Sequence, residues 1–181
     1  MSCEAQQRWP ANRAAGMVLL ALAAVALAAC KSKPPPLEIP KPITASVSIV
    51  AASDLNPNAQ GRPSPVFLRL LLLRDGTKFL NSEFDDVTAK SDQVLAAALL
   101  GRDERMVQPG SQVTVTLEVP PEARVLGVVA EYSNLPESRW RAATAVTEGG
   151  LLSQFKGHSL LVSVGRQSVT TEFIAAKTKS R

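Results

Sequence analysis

Apolar and polar residues alternate with a period of two over much of this chain. Ile43, Ala45, Val47, Ile49 and Ala51 interleave with Thr44, Ser46 and Ser48, which predicts a half-buried strand over residues 43–52. Val66 to Arg74 is apolar on both faces and predicts a central strand covered from both sides. Pro65 before it and Asp75-Gly76 after it favour a strand over a buried helix. Val113, Val115, Leu117 and Val119 alternate with Thr114, Thr116 and Glu118 until Pro120-Pro121 breaks the pattern. Further strands are expected at Arg124–Tyr132 and from Arg139 to Val146. Leu160–Val164 and Ser168–Phe173 form a closing hairpin around Gly165-Arg166-Gln167. Glu104–Val107 adds a short strand, and Pro109-Gly110 and Gly149-Gly150 are turns.

Between Thr77 and Gly101 the spacing changes. Phe79, Phe84, Val87, Val94, Leu95, Ala98 and Leu99 recur at near-helical intervals. Two short helices are expected, about 81–89 and 91–100, with Ser82/Asp85 and Ser91/Asp92 as N-cap candidates and Gly101 as the stop. About seven short strands and one helical insertion make a mainly β fold, a two-sheet antiparallel β-sandwich, in one domain over residues 43–174. A basic tail, residues 175–181, carries Lys177, Lys179 and Arg181.

The first two strands are joined by Ser53 to Pro65, a stretch rich in turn formers. Asp54 and Asn56-Pro57 favour turns, Gly61 permits positive φ, and prolines block helix and strand alike. Such a loop is long for a hairpin, and long stiffened loops on β scaffolds are often binding elements.

The first 42 residues read differently. An apolar run from Met17 to Ala29 follows a segment with Arg8 and Arg13, and is too short to span a membrane comfortably. It ends in Leu27-Ala28-Ala29-Cys30, which looks like a bacterial lipobox. That likeness implies a leader over residues 1–29, removed by cleavage before Cys30, and lipid on the Cys30 thiol and the new N-terminus. Cys3 leaves with the leader, so the mature chain has no intrachain disulfide. Residues 30–42 then form a lipidated cysteine and a proline-rich linker, stiff and extended at about 3.1 Å per residue.

The net charge of +4 comes partly from the leader and the tail. No Lys/Arg stripe interleaved with aromatics is present, so nucleic acid is not an expected partner. His158 is the one histidine, and the mature cysteine is spoken for by lipid, so neither a metal site nor a cofactor is expected. Gly-x-Ser-x-Gly and P-loop patterns are absent from the sequence. Asp85-Asp86 and Asp103-Glu104 are adjacent pairs whose side chains diverge, so they read as solvated positions and not as an acid–base pair. Trp140 between Arg139 and Arg141 reads as core with outward arginines; a sugar-stacking platform is the alternative. The chain is not expected to be an enzyme.

The order of these features resembles the type VI secretion system lipoprotein family (TssJ). The lipobox and proline spacer precede an alternating strand, then Asp54-Leu55-Asn56-Pro57, Gly61-Arg62 and Pro65-Val66, then Arg69-Leu70 and Leu73. Phe79, Phe84-Asp85, Pro109-Gly110, Leu126 to Ala130 and Trp140-Arg141 follow in the family's order. The chain departs from the pattern by running Leu70 to Leu73 where the family often has a tyrosine, and by lacking an aromatic near Val87. The resemblance implies a transthyretin-like sandwich with a small helical addition, anchored to the periplasmic face of the outer membrane. It implies a structural adaptor that binds the periplasmic domain of the inner-membrane protein TssM, in a complex that also contains TssL. The partner contact then falls on Asp54, Leu55, Asn56, Pro57, Asn58, Gly61 and Arg62, with Leu55 as an apolar anchor and Arg62 as a carboxylate ligand. A stand-alone lipoprotein binding a small ligand or carbohydrate is the alternative.

Overall fold

The computed structural model describes residues 41–145, 150–155 and 158–175. The leader, Cys30, the linker up to residue 40, Val146, Gly149 and the tail from residue 176 lie outside them. Eight strands are present: β1 Ile43–Ala51, β2 Val66–Leu73, β3 Leu99–Val107, β4 Gln112–Val119, β5 Val125–Glu131, β6 Arg141–Ala145, β7 His158–Val164 and β8 Val169–Ala175. They form two four-stranded sheets, in the orders β4-β1-β7-β8 and β3-β2-β5-β6. Every pair is antiparallel except β1–β7, which is parallel. That exception follows from the path of the chain. Successive strands run alternately up and down, so two odd-numbered strands laid side by side point the same way.

The same alternation sorts the loops. Connections β1–β2, β3–β4, β5–β6 and β7–β8 all emerge at one pole, here the loop pole. Residues 41–42 enter β1 at the other, the N-terminal pole.

The main core lies between the sheets. Alternate residues of β1, namely Ala45, Val47, Ile49 and Ala51, meet Leu68, Leu70 and Leu72 of β2, with Leu117, Val128, Leu160 and Val162 around them. A second cluster lies outside the second sheet. There Leu71 and Leu73 of β2 are fully buried with Phe79, Val87, Leu95, Val125 and Val129. β2 is thus buried on both faces, as its run of leucines requires. Burying each such side chain stabilises by about 1.5–3 kcal/mol.

The helical cover differs from the expected pair of helices. It is three single-turn helices, α1 Thr77–Asn81, α2 Phe84–Thr88 and α3 Ser91–Leu95, then a 3₁₀ turn Ala96–Ala98. Ser82 ends α1 instead of starting a helix, and its hydroxyl donates to Lys78 O at 2.6 Å. Ser91 is buried, and its hydroxyl accepts from Arg102. Asp75 does the capping at the start: its Oδ1 accepts from Thr77 N and Thr77 Oγ1 at 2.9 and 2.8 Å. The Thr77 backbone bond first, and the hydroxyl bond second, lower the Asp75 pKa. Leu99 to Gly101 belong to β3 and not to a helix; the chain leaves helical geometry at Ala96, where φ is 42°. β3 therefore starts five residues earlier than its charge-rich sequence suggests. Its charges are internally matched: Arg69 pairs with Glu104 and with Glu131, Arg102 with Asp92, and Arg105 with Asp103. Gly150 does not turn the chain but opens a further helix, α4 Gly150–Phe155, whose Leu151 enters the core.

Gly127 marks the tightest fit. Phe79 lies on its bare backbone, and an added Cβ would meet the ring at 3.0 Å. Gly127→Ala should therefore lower unfolding free energy by about 1–3 kcal/mol, measured by urea denaturation. An unchanged midpoint would mean that the ring moves aside freely.

A cleft among three loops at the loop pole

The β1–β2 loop does not hang free. Leu55 is fully buried and belongs to the main core. It is a plug that pins the loop down, and as an apolar anchor its side chain is held in the core and not at the surface. The pattern hides this, since one leucine among polar turn formers gives no periodicity.

Asn56 is the next surprise. It is 4 % exposed and adopts a left-handed backbone with φ 45°. Its Nδ2 donates to Pro65 O at 2.7 Å, closing the loop on itself. Its Oδ1 accepts from Ser133 N at 2.7 Å, which joins the β5–β6 loop. Its backbone N–H donates to Arg166 O at 3.0 Å, which joins the β7–β8 loop. One side chain and its own amide therefore connect three loops, and Asn56 is a fastener of the loop pole. Asparagine tolerates the left-handed region better than other non-glycine residues.

Asn58 organises the tip. Its Oδ1 accepts from Gln60 N and Arg62 N, both at 3.0 Å. Its backbone N–H donates to Arg62 O at 2.9 Å, and its carbonyl accepts from Gly61 N at 2.8 Å. Gly61 has φ 74° with open space around it, so it is needed for backbone geometry and not for packing. Pro57 and Asn58 are half-buried, whereas Asp54, Gly61 and Arg62 are exposed.

The three loops enclose a cleft of about 460 Å³ lined by Pro57, Asn58, Gly61, Ser133, Asn134 and Arg166. Ser133, Asn134, Arg166 and Gln167 are lining residues that the sequence reading did not single out. The signal was available in the strand count: with strands alternating in direction, every odd-to-even connection shares a pole. Arg166 reaches Asp54 at 3.8 Å, both being about half exposed, a weak pair in water. The Arg62 guanidinium has no partner among the described residues. Tyr132, buried below the cleft, donates its hydroxyl to Gly165 O at 3.2 Å, and burial pushes its pKa up. Among the described residues no three His, Cys, Asp or Glu side chains group as metal ligands.

The other candidates lie elsewhere. His158 is exposed at the start of β7, against Gln154 O. Asp86 pairs with Lys90 at 3.3 Å. Trp140 is half-buried, edge-on to Phe84 at 5.2 Å. Arg141 does not point away from it: the guanidinium stacks over the indole at 4.8 Å and donates to Phe79 O and Ser82 O. Trp140 is thereby committed to joining the two cores.

Asn56→Ala removes two buried hydrogen bonds and puts a Cβ residue with no polar compensation at positive φ, so it should cost about 2–4 kcal/mol. Asn56→Gly, which keeps the backbone permitted, should cost about 1 kcal/mol less. Arg62→Ala should stay within about 0.5 kcal/mol of the parent. Urea unfolding of the three variants checks this ranking; equal values for Asn56→Ala and Arg62→Ala would contradict the fastener role.

Known proteins carry the same architecture. A family described as type VI secretion lipoprotein (VasD, EvfM, TssJ) matches residues 43–167. The T6SS lipoprotein TssJ1 of Pseudomonas aeruginosa is 27% identical, with a TM-score of 0.67 over 75% of this chain and 98% of its own. Serratia marcescens Lip, described as a membrane bound component of the type VI secretion system, shares the fold at 24% identity, with a TM-score of 0.63 over 76% of this chain and 99% of its own. A chain in a structure described as the type VI membrane complex shares it at 22% identity, with a TM-score of 0.61 over 71% of this chain and 97% of its own. No curated protein matches the chain. The match spans β1 to β7, the helical cover and nearly all of the three cleft loops, and on it the chain belongs to the type VI secretion lipoprotein family.

Proposed function

We propose that this chain is the outer-membrane lipoprotein of a type VI secretion membrane complex, and that its loop pole binds the periplasmic domain of the inner-membrane component TssM within an assembly that includes TssL. Residues 1–29 are the leader, Cys30 carries the lipid, residues 30–42 are the spacer, and the sandwich is the working domain. The role is structural, with no chemical step.

The observation that carries the reading is the built cleft at the loop pole. Leu55 and Asn56 hold the backbone of the β1–β2 loop against two neighbouring loops before any partner arrives. Little ordering entropy is then lost on docking. Asp54, Pro57, Asn58, Gly61 and Arg62 remain as the presenting surface, with Arg166 beside them. Two guanidiniums at the rim suit carboxylates on the partner, since arginine binds them in a planar, two-bond geometry. Residues 41–42 enter β1 at the N-terminal pole and the cleft opens at the loop pole, which leaves the cleft clear of the point where the sandwich is attached.

Two measurements test this. The double variant Arg62→Glu/Arg166→Glu should bind the TssM periplasmic domain about tenfold or more weakly in calorimetry, a loss of about 1.4 kcal/mol or more, while unfolding at the parent midpoint. Unchanged affinity would remove the loop pole from the interface. Cys30→Ala should leave the protein unlipidated and secretion lost although the domain folds; normal secretion at native expression would defeat the anchoring claim.

A further inference from the structure

Each sheet exposes two edge strands, and unpaired edges are templates that proteins usually guard. Three of the four are guarded here. β6 and β8 lie against each other, joined by the Thr144–Thr171 hydroxyl bond at 2.5 Å and the Arg139–Ser168 bridge. β3 has a register shift opposite Leu72 and Leu73, and turns charge inward: Asp103 and Arg105 lie opposite the core residues Leu70 and Leu68 and pair at 2.6 Å. β4 has none of these devices. Gln112–Val119 contains no Lys, Arg, Pro or Gly, and its register with β1 is unbroken.

The hydrogen bonds at the end of β1 reveal which β4 peptide groups face outward. Ala51 N–H donates to Ser111 O and Ala52 N–H donates to Val164 O, both at 2.9 Å. Odd-numbered β1 residues therefore bond toward β4 and even-numbered ones toward β7. Peptide groups alternate along an antiparallel pair. With Val47 opposite Val115, the N–H and C=O groups of Gln112, Thr114, Thr116 and Glu118 point to the free edge. Among the described residues none of them has a backbone partner there.

A slot of about 340 Å³ opens directly beside this edge, between β4 and β3. Its lining includes the apolar Leu72, Leu100 and Leu117, with Arg102, Asp103 and Glu118 also around it. Arg102 and Asp103 are already matched, by Asp92 and by Arg105. Glu118 has no ion-pair partner among the described residues. Free edge groups next to a slot of mixed lining, with leucines among charged side chains, are the two ingredients of strand addition, where backbone bonds give affinity and a side-chain pocket gives selectivity.

We infer that β4 and this slot receive an extended segment of the partner protein, which adds a fifth strand to the first sheet. The segment sets an apolar side chain over Leu72, Leu100 and Leu117 and presents a Lys or Arg to Glu118. The inference rests on the adaptor reading and adds a second contact to it, along the side of the sandwich. A second copy of this chain is the poorer occupant. β4 itself carries no Lys or Arg to set against Glu118.

The test is amide hydrogen exchange of the full chain, alone and with the TssM periplasmic domain, together with affinities of two variants. Thr114 and Thr116 amides should exchange freely in the protein alone and slow by about tenfold or more in the complex. Thr116→Pro removes an edge donor and leaves the β1 ladder intact, so it should weaken binding about tenfold; Glu118→Lys, on the solvent face, should weaken it about fivefold. If the parent binds while both amides stay fast, or both variants bind as the parent does, the inference is wrong. If the same amides slow with protein concentration in the absence of partner, the occupant is a second copy and the inference is equally wrong. If the parent does not bind at all, the adaptor reading fails and takes this inference with it.

Discussion

Asn56 is the point on which the loop pole of this protein depends. A β-sandwich leaves its loops at the poles, and loops without partners pay their ordering entropy at the moment of binding. Here one asparagine, in a left-handed conformation that few residues accept, bonds to Pro65, Ser133 and Arg166 at once. Leu55 beside it is driven into the core by ordinary hydrophobic burial. The polar contact sets the geometry and the apolar one supplies the hold. Together they turn Pro57 to Arg62 from a mobile connection into a presented surface.

The rest of the architecture serves the same end. Val66 at the upper end of β2 is buried in the main core, so it is a rigid base for the loop that precedes it. Phe79 on Gly127, and Arg141 across Trp140 and the α1 carbonyls, lock the helical cover to the second sheet. That cover lies toward the N-terminal pole, where Leu71, Leu73 and Val125 need it, and leaves Phe67 and Arg69 on the same face uncovered near the loops. The sandwich is thus a stiff body with different poles: residues 41–42 enter at one and the three-loop cleft opens at the other.

Much of this could be read from the sequence. The alternation from Ile43 to Ala51 and from Val113 to Val119 identified strands and their buried faces, because period two is a direct image of a half-buried sheet. The leucine run at β2 announced two-sided burial for the same reason. What could not be read had specific causes. The start of β3 was hidden because its four charges, Arg102 to Arg105, are matched by Arg69, Asp92 and one another only after folding. The first break in the helical segment falls at Ser82 and Glu83, whose backbones turn extended, and its last turn ends at Ala96 with positive φ, choices that propensity does not encode. α4 was hidden behind Gly149-Gly150, a pair that reads as a turn. At the candidate site, the burial of two loop residues was not legible. Leu55 and Asn56 look like surface in one dimension, since burial of an isolated residue in a polar loop depends on which other loops share its pole.

The central claim is that the loop pole, and not the helical cover at the N-terminal pole, faces the protein of the opposite membrane. Site-specific photocrosslinking in living cells tests it most directly, with the reactive side chain at Arg62 on the loop pole and at the exposed Lys78 of α1. A crosslink to the inner-membrane component is predicted from position 62 and none from position 78. A crosslink from 78 with none from 62 would contradict the claim.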